Sequence, residues 1–88
     1  MPMQFDEFAR ELDTVIRATP KIERTSASGD RVAWGANARR ATVTLAPPLN
    51  VSVELGGGDS RAQTTWYPVD AALVPVVSDR ILRFLGQN

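Results

Sequence analysis

The sequence predicts an α+β fold: a two-layer sandwich in which a four-stranded antiparallel meander sheet carries an N-terminal and a C-terminal helix on one face, in the order α-β-β-β-β-α. Three observations predict it. Apolar residues recur at helical spacing near both ends of the chain, and the stretch between them alternates with period two. Turn residues punctuate that stretch about every ten positions. The chain has 88 residues, which makes residues 1–88 a single domain whose folding buries only somewhat over ~60% of the unfolded surface. A core that small depends on a few anchors.

The first helix is expected over about residues 4–18. Phe5, Phe8, Leu12, Val15 and Ile16 fall on one stripe of a 3.6-residue helix. Asp6 and Glu7 occupy its first turn, where negative charge suits the helix dipole. Asp6/Arg10 and Asp13/Arg17 are spaced four apart on the outer side. Pro20 ends the helix by driving Thr19 out of helical geometry. Its acidic outer face reads as a solvated one.

Strand signals follow. "KIERTSA" leads through "SGD" into "RVAWG", where Val32 and Trp34 alternate with Arg31 and Ala33. "RRATVTLA" sets Val43 and Leu45 against Thr42 and Thr44, "PPLN" breaks the ladder for want of amide hydrogens, and "VSVEL" alternates Val51, Val53 and Leu55 with Ser52 and Glu54. "RAQTTWYPV" closes the run.

"GGGDSR" between the last two runs is read as a hairpin tip. If Val51, Val53 and Leu55 face the core, the even positions Ala62, Thr64 and Trp66 fit opposite them better than the odd ones. Leu55 is then expected to pair with Ala62, with Gly56 to Arg61 in the loop. A phosphate-binding loop would need G-x-x-x-x-G-K-[ST] opening a helix, and this run lacks the lysine and opens a strand. Asp59 and Ser60 lack the spaced carboxylates of a calcium loop.

"PVDAALVPVVSDRILRFLGQN" carries the second helix, apolar at Val74, Val77, Ile81, Phe84 and Leu85. Pro75 allows two starts: a helix capped by Asp70, or a short helical turn followed by a regular helix from near Pro75. The second is preferred.

With both helices on one side, the other face of the sheet is left open. Parity assigns it Arg31, Ala33, Arg40, Thr42, Thr44, Ser52, Glu54, Gln63 and Thr65, with Tyr67 at its margin, and turns both tryptophans inward. "KIERTSA" and "RAQTTWY" are the expected edges. Their Arg, Lys and Glu look protective, which argues against edge-to-edge dimers and for contact through the face.

Composition narrows the function classes. The chain holds no cysteine and no histidine, which removes thiolate metal sites, disulfides, the commonest general base and the commonest nucleophile pairing. No enzyme activity, cofactor or metal is expected. No apolar run approaches the ~18 residues that span a bilayer, and the acidic amphipathic N-terminus is unlike a secretory signal, so the expected location is cytoplasmic, away from membranes. Net charge is zero, yet residues 1–16 are acidic and residues 17–40 basic. Lys21 is the only lysine among ten basic residues, an arginine bias that suggests a bacterium or phage rich in GC.

Protein contact is the function this inventory leaves: a homodimer subunit, an accessory subunit or a compact inhibitor, binding through the open sheet face. Arg31, Arg40, Thr42, Thr44 and Glu54 are the candidate contact residues. The alternative is single-stranded nucleic acid bound on the β face by arginines and aromatics. A second alternative is an inhibitor of a host protein encoded by a phage or mobile element.

Overall fold

A computed structural model describes residues 3–47, 50–57 and 60–86. The elements run α1 (Phe5–Ile16), β1 (Glu23–Ala27), β2 (Arg31–Ala36), β3 (Arg39–Ala46), β4 (Asn50–Gly57), β5 (Ser60–Pro68), a 3-10 turn (Ala71–Leu73) and α2 (Val74–Leu85). The α+β arrangement is as expected, but the sheet has five strands in the order β1-β2-β3-β4-β5. Each of the five β-like runs forms a strand of its own, so the four-strand count is one too low.

Every neighbouring pair is antiparallel, because each connection is too short for a crossover. The β2–β3 connection is a two-residue turn, with Asn37 (φ 55°) and Ala38 (φ 63°) both left-handed. Two positive-φ residues give the turn whose twist matches the strands it joins. Residues 48–49 of "PPLN", which was expected to break the ladder, and residues 58–59 of the expected hairpin tip lie outside the described residues.

Both helices lie on one sheet face and share its core. Phe8, Leu12 and Ile16 from α1 and Val77, Ile81 and Leu85 from α2 are fully buried against Trp34, Val43, Val51 and Val53. Burying each such aliphatic side chain contributes about 1.5–3 kcal/mol, so a handful of residues carries most of the stability. Val15, expected on the α1 stripe, lies at its flank and is 41% exposed.

Helix ends follow from local chemistry. The backbone of α1 closes with Arg17 N–H donating to the Asp13 carbonyl at 2.9 Å, ahead of Pro20. Pro75 stands in the first turn of α2, where its missing N–H breaks no bond. Asp70 instead caps the short turn before it, its carboxylate accepting from Ala72 N–H at 2.9 Å. The preferred reading of Pro75 therefore describes the structure.

At the β4–β5 hairpin the structure departs from expectation. Gly57 pairs with Ser60 at the tip, and a regular continuation would set Leu55 opposite Ala62, the expected register. A bulge intervenes, and Leu55 pairs with Gln63, Val53 with Thr65 and Val51 with Tyr67. One extra residue on β5 flips the facing of everything after it. Gln63, Thr65 and Tyr67 thus lie on the helix side, and Ala62, Thr64 and Trp66 on the open side, the reverse of the expectation.

Candidate functional site: the open sheet face

All five candidate contact residues stand on the face opposite the helices, because along their strands they alternate with the core residues Val32, Ala41, Val43, Val53 and Leu55. Arg31 pairs with Thr44 and Thr42 with Ala33, while Thr42 also pairs with Glu54 and Thr44 with Ser52. The bulge adds Trp66, opposite Ser52 on β5, and Thr64, opposite Glu54. A transverse row Arg31, Thr44, Ser52, Trp66 crosses four strands. Next to it runs Ser26, Ala33, Thr42, Glu54, Thr64.

Trp66 is the residue the sequence reading missed. It is 64% exposed, whereas Trp34 is completely buried. The signal that could have shown it is weak. Within "RAQTTWY" both parities offer one aromatic, Trp66 or Tyr67, and the alternation of small and polar residues does not choose between them. Tyr67 takes the inward place, half-buried against the core.

Arg40 has an unusual setting. Its cross-strand neighbours are Gly35 on β2 and Gly56 on β4, so no side chain flanks it directly. Around it an open concavity of about 780 Å3 is floored by Gly35, Gly56 and Ala62 and rimmed by Lys21, Glu23, Arg40 and Glu54. A Cβ on Gly35 would lie 3.2 Å from Thr25 Cγ2, so this glycine lets Thr25, the extra residue of a bulge in β1, settle over the sheet. Gly57 has a φ of +107°, and a Cβ there would come within 2.7 Å of the Ala38 carbonyl oxygen. Close approach of β4 to the β2–β3 turn therefore requires glycine at 57.

The charge on this face is mixed. Arg31, Arg40 and Lys21 are set against Glu23 and Glu54, and among the described residues none of these five makes a salt bridge. The basic residues that do pair lie elsewhere: Arg17 and Arg24 with Asp13, and Arg83 with Asp79. Arg39, next to Arg40, points the other way and holds α2, its Nη1 donating to the Phe84 carbonyl at 3.0 Å with the guanidinium 5.2 Å from the Phe84 ring centre. Adjacent arginines thus divide between the two faces.

Among the described residues there is no group of three or more acidic, cysteine or histidine side chains placed to hold a metal ion. No helix among them is long and apolar enough to cross a membrane. Chemically, the face offers an indole in water, two arginines, hydroxyls from Thr42, Thr44 and Ser52, and a shallow floor of small residues. Those groups suit contact with another molecule. No protein-family model, curated protein or solved structure matches this chain.

Proposed function

We propose that the protein is a non-enzymatic protein-contact module that binds its partner through the open sheet face. The observation that carries this reading is Trp66, 64% exposed on the same face as Arg31 and Arg40. Trp and Arg are the residues most enriched among those that dominate protein interfaces. Around them, small and hydroxyl side chains let a partner approach the sheet closely. The mixed charge favours a partner with its own mixed charge over a polyanion.

Site-specific photo-crosslinking in cells tests the reading. A crosslinker at Thr42 is expected to capture one protein in high yield, and one at Glu11 on the outer side of α1 is not. Trp66→Ala and Arg40→Glu should each abolish the Thr42 crosslink while leaving the fold intact. Capture from Glu11 alone would move the contact to the helices and overturn the proposal.

A second reading is favoured by that same indole. An exposed tryptophan with arginines on one β face is a stacking platform for single-stranded nucleic acid. Zero net charge and Glu54 at the centre of the face weigh against it. Oligonucleotide binding that quenches Trp66 emission, weakens steeply with salt and disappears in Arg31→Glu and Arg40→Glu would replace the first reading with this one.

A further inference from the structure

The two edges of the sheet are built differently. At one, β1 is short, carries Glu23 and Arg24, and is interrupted by a bulge between Arg24 and Ser26. Charge and bulges are the devices that stop an edge from pairing with another strand. At the other, β5 is the longest strand, and residues 62–67, Ala-Gln-Thr-Thr-Trp-Tyr, carry no charge at all. Four of those six residues are Thr, Trp or Tyr, types that favour strands. Its register is regular from Gln63 to Pro68, and none of its described side chains is buried. The protection of this edge is confined to its two ends, Arg61 with the bulge beside it at one and Pro68 at the other.

We infer that β5 is a pairing edge whose occupant is β5 of a second copy, joined antiparallel about a two-fold axis at Thr64. A two-fold pairing keeps side chains of like parity opposite each other, so the axis must pass through a residue. Centred on Gln63, the ladder has the bulge at Arg61 and Ala62 next to its middle; centred on Thr65, it sets Ala62 against Pro68. Centred on Thr64, it spans 61–67 without glycine or proline. Thr64 then faces its own copy, and the indole of Trp66 lies over Ala62 of the second copy, large against small.

Backbone polarity agrees with that centre. Proline is tolerated in an edge strand where its missing N–H would face solvent. Pro68 is paired with Asn50, so on that rule its nitrogen points away from β4. Backbone groups alternate in direction along a strand, which aims those of Thr64 and Trp66 outward as well. They are the donors and acceptors that a two-fold at Thr64 would join.

Charge and area fit a second copy. The chain has no net charge, so two copies meet without long-range repulsion. One added strand pair with its side chains buries less than about 1,200 Å2, the range of weak, concentration-dependent complexes. Such a dimer would extend the open face across ten strands, doubling the five observed, and would present it twice to a partner.

The test is sedimentation equilibrium over roughly 10 μM to 1 mM, the range in which so small an interface dissociates. Wild-type mass is expected to rise from 9.6 kDa toward twice that value, with amide exchange at Thr64 and Trp66 slowing as it does. Thr64→Glu sets two carboxylates face to face and should stay monomeric, and mixing it with Thr64→Lys should restore the dimer. Arg40→Glu, off the edge, should dimerise as wild type does. A wild type that stays monomeric overturns the inference, as do unprotected Thr64 and Trp66 amides in a dimer. Dimerisation lost in Arg40→Glu and kept in Thr64→Glu also overturns it, because the second copy would then sit on the open face. Wild-type exchange keeps the test decisive even where Thr64→Glu, lying opposite Glu54 of its own chain, folds poorly.

Discussion

The indole nitrogen of Trp34 donates a hydrogen bond to Asp13 Oδ1 at 2.9 Å, tying the largest fully buried side chain of the sheet to the last turns of α1. A completely buried tryptophan needs a partner for its N–H. The other carboxylate oxygen of Asp13 lies 3.5 Å from both Arg17 and Arg24. One acidic side chain thus joins α1, β1 and β2, and leaves these two arginines off the open face.

Asp13→Ala should therefore cost more than a surface substitution. It strands a buried donor, a loss of about 1–3 kcal/mol, whereas the two partly exposed ion pairs add at most about 1 kcal/mol each. Asp13→Asn keeps an oxygen for the indole and loses only the charge. Urea denaturation is expected to rank wild type above Asp13→Asn and Asp13→Asn clearly above Asp13→Ala. Equal losses in the two variants would mean that the ion pairs, not the indole bond, hold the helix.

The β2–β3 turn contains one residue that does not suit it. Ala38 holds a φ of 63°, a conformation that costs a residue with a Cβ about 1–2 kcal/mol. Ala38→Gly relieves this and in return gives the unfolded chain more freedom, for a net gain of up to about 1 kcal/mol. Gly57→Ala should do the opposite and lose more than about 1 kcal/mol, because strain adds to its clash with the Ala38 carbonyl. Opposite shifts in melting temperature check the pair.

Asn37, the other residue of that turn, reaches across to α2. Its Nδ2 donates to the Leu85 carbonyl at 2.6 Å, satisfying one of the carbonyls that a helix C-terminus leaves open. Asn37→Gly preserves the left-handed turn and removes this bond, while giving the unfolded chain somewhat more freedom. Stability should fall by about 0.5–1.5 kcal/mol, with faster amide exchange confined to the last turn of α2. Faster exchange throughout the sheet would show instead that the turn itself had failed.

Much of this fold is legible in the residues because the burial pattern is regular where the core is dense. Val51, Val53 and Leu55 alternate without interruption, and β4, central to the hairpins that flank it, faces as read. The apolar stripes of α1 and α2 are similarly plain. What the alternation does not reveal is a register slip, since the bulge opposite Gly56 leaves no mark in a segment that is polar on both parities. One residue there moves Trp66 from the core to water and Tyr67 from margin to core. Asp13–Trp34 and Asn37–Leu85 were out of reach for a different reason: each joins residues far apart in the chain, and only the packing of helices on sheet makes them neighbours.

The two tryptophans provide a direct check on that slip. Trp34 is fully enclosed and Trp66 is 64% exposed, so their substitutions should separate stability from binding. Trp34→Ala opens a large cavity and frees Asp13 from its indole partner, a loss of about 3–5 kcal/mol that a domain of this size barely survives. Trp66→Ala removes a side chain that is largely in water and should change stability by no more than about 0.5 kcal/mol. Its effect belongs to contact with a partner or with a second copy. Fluorescence distinguishes the pair without a partner: acrylamide should quench Trp66 in the Trp34→Phe variant efficiently, and Trp34 in the Trp66→Phe variant hardly at all. Equal quenching of both would place Trp66 back in the core, restore the regular hairpin register and remove the aromatic anchor from the open face.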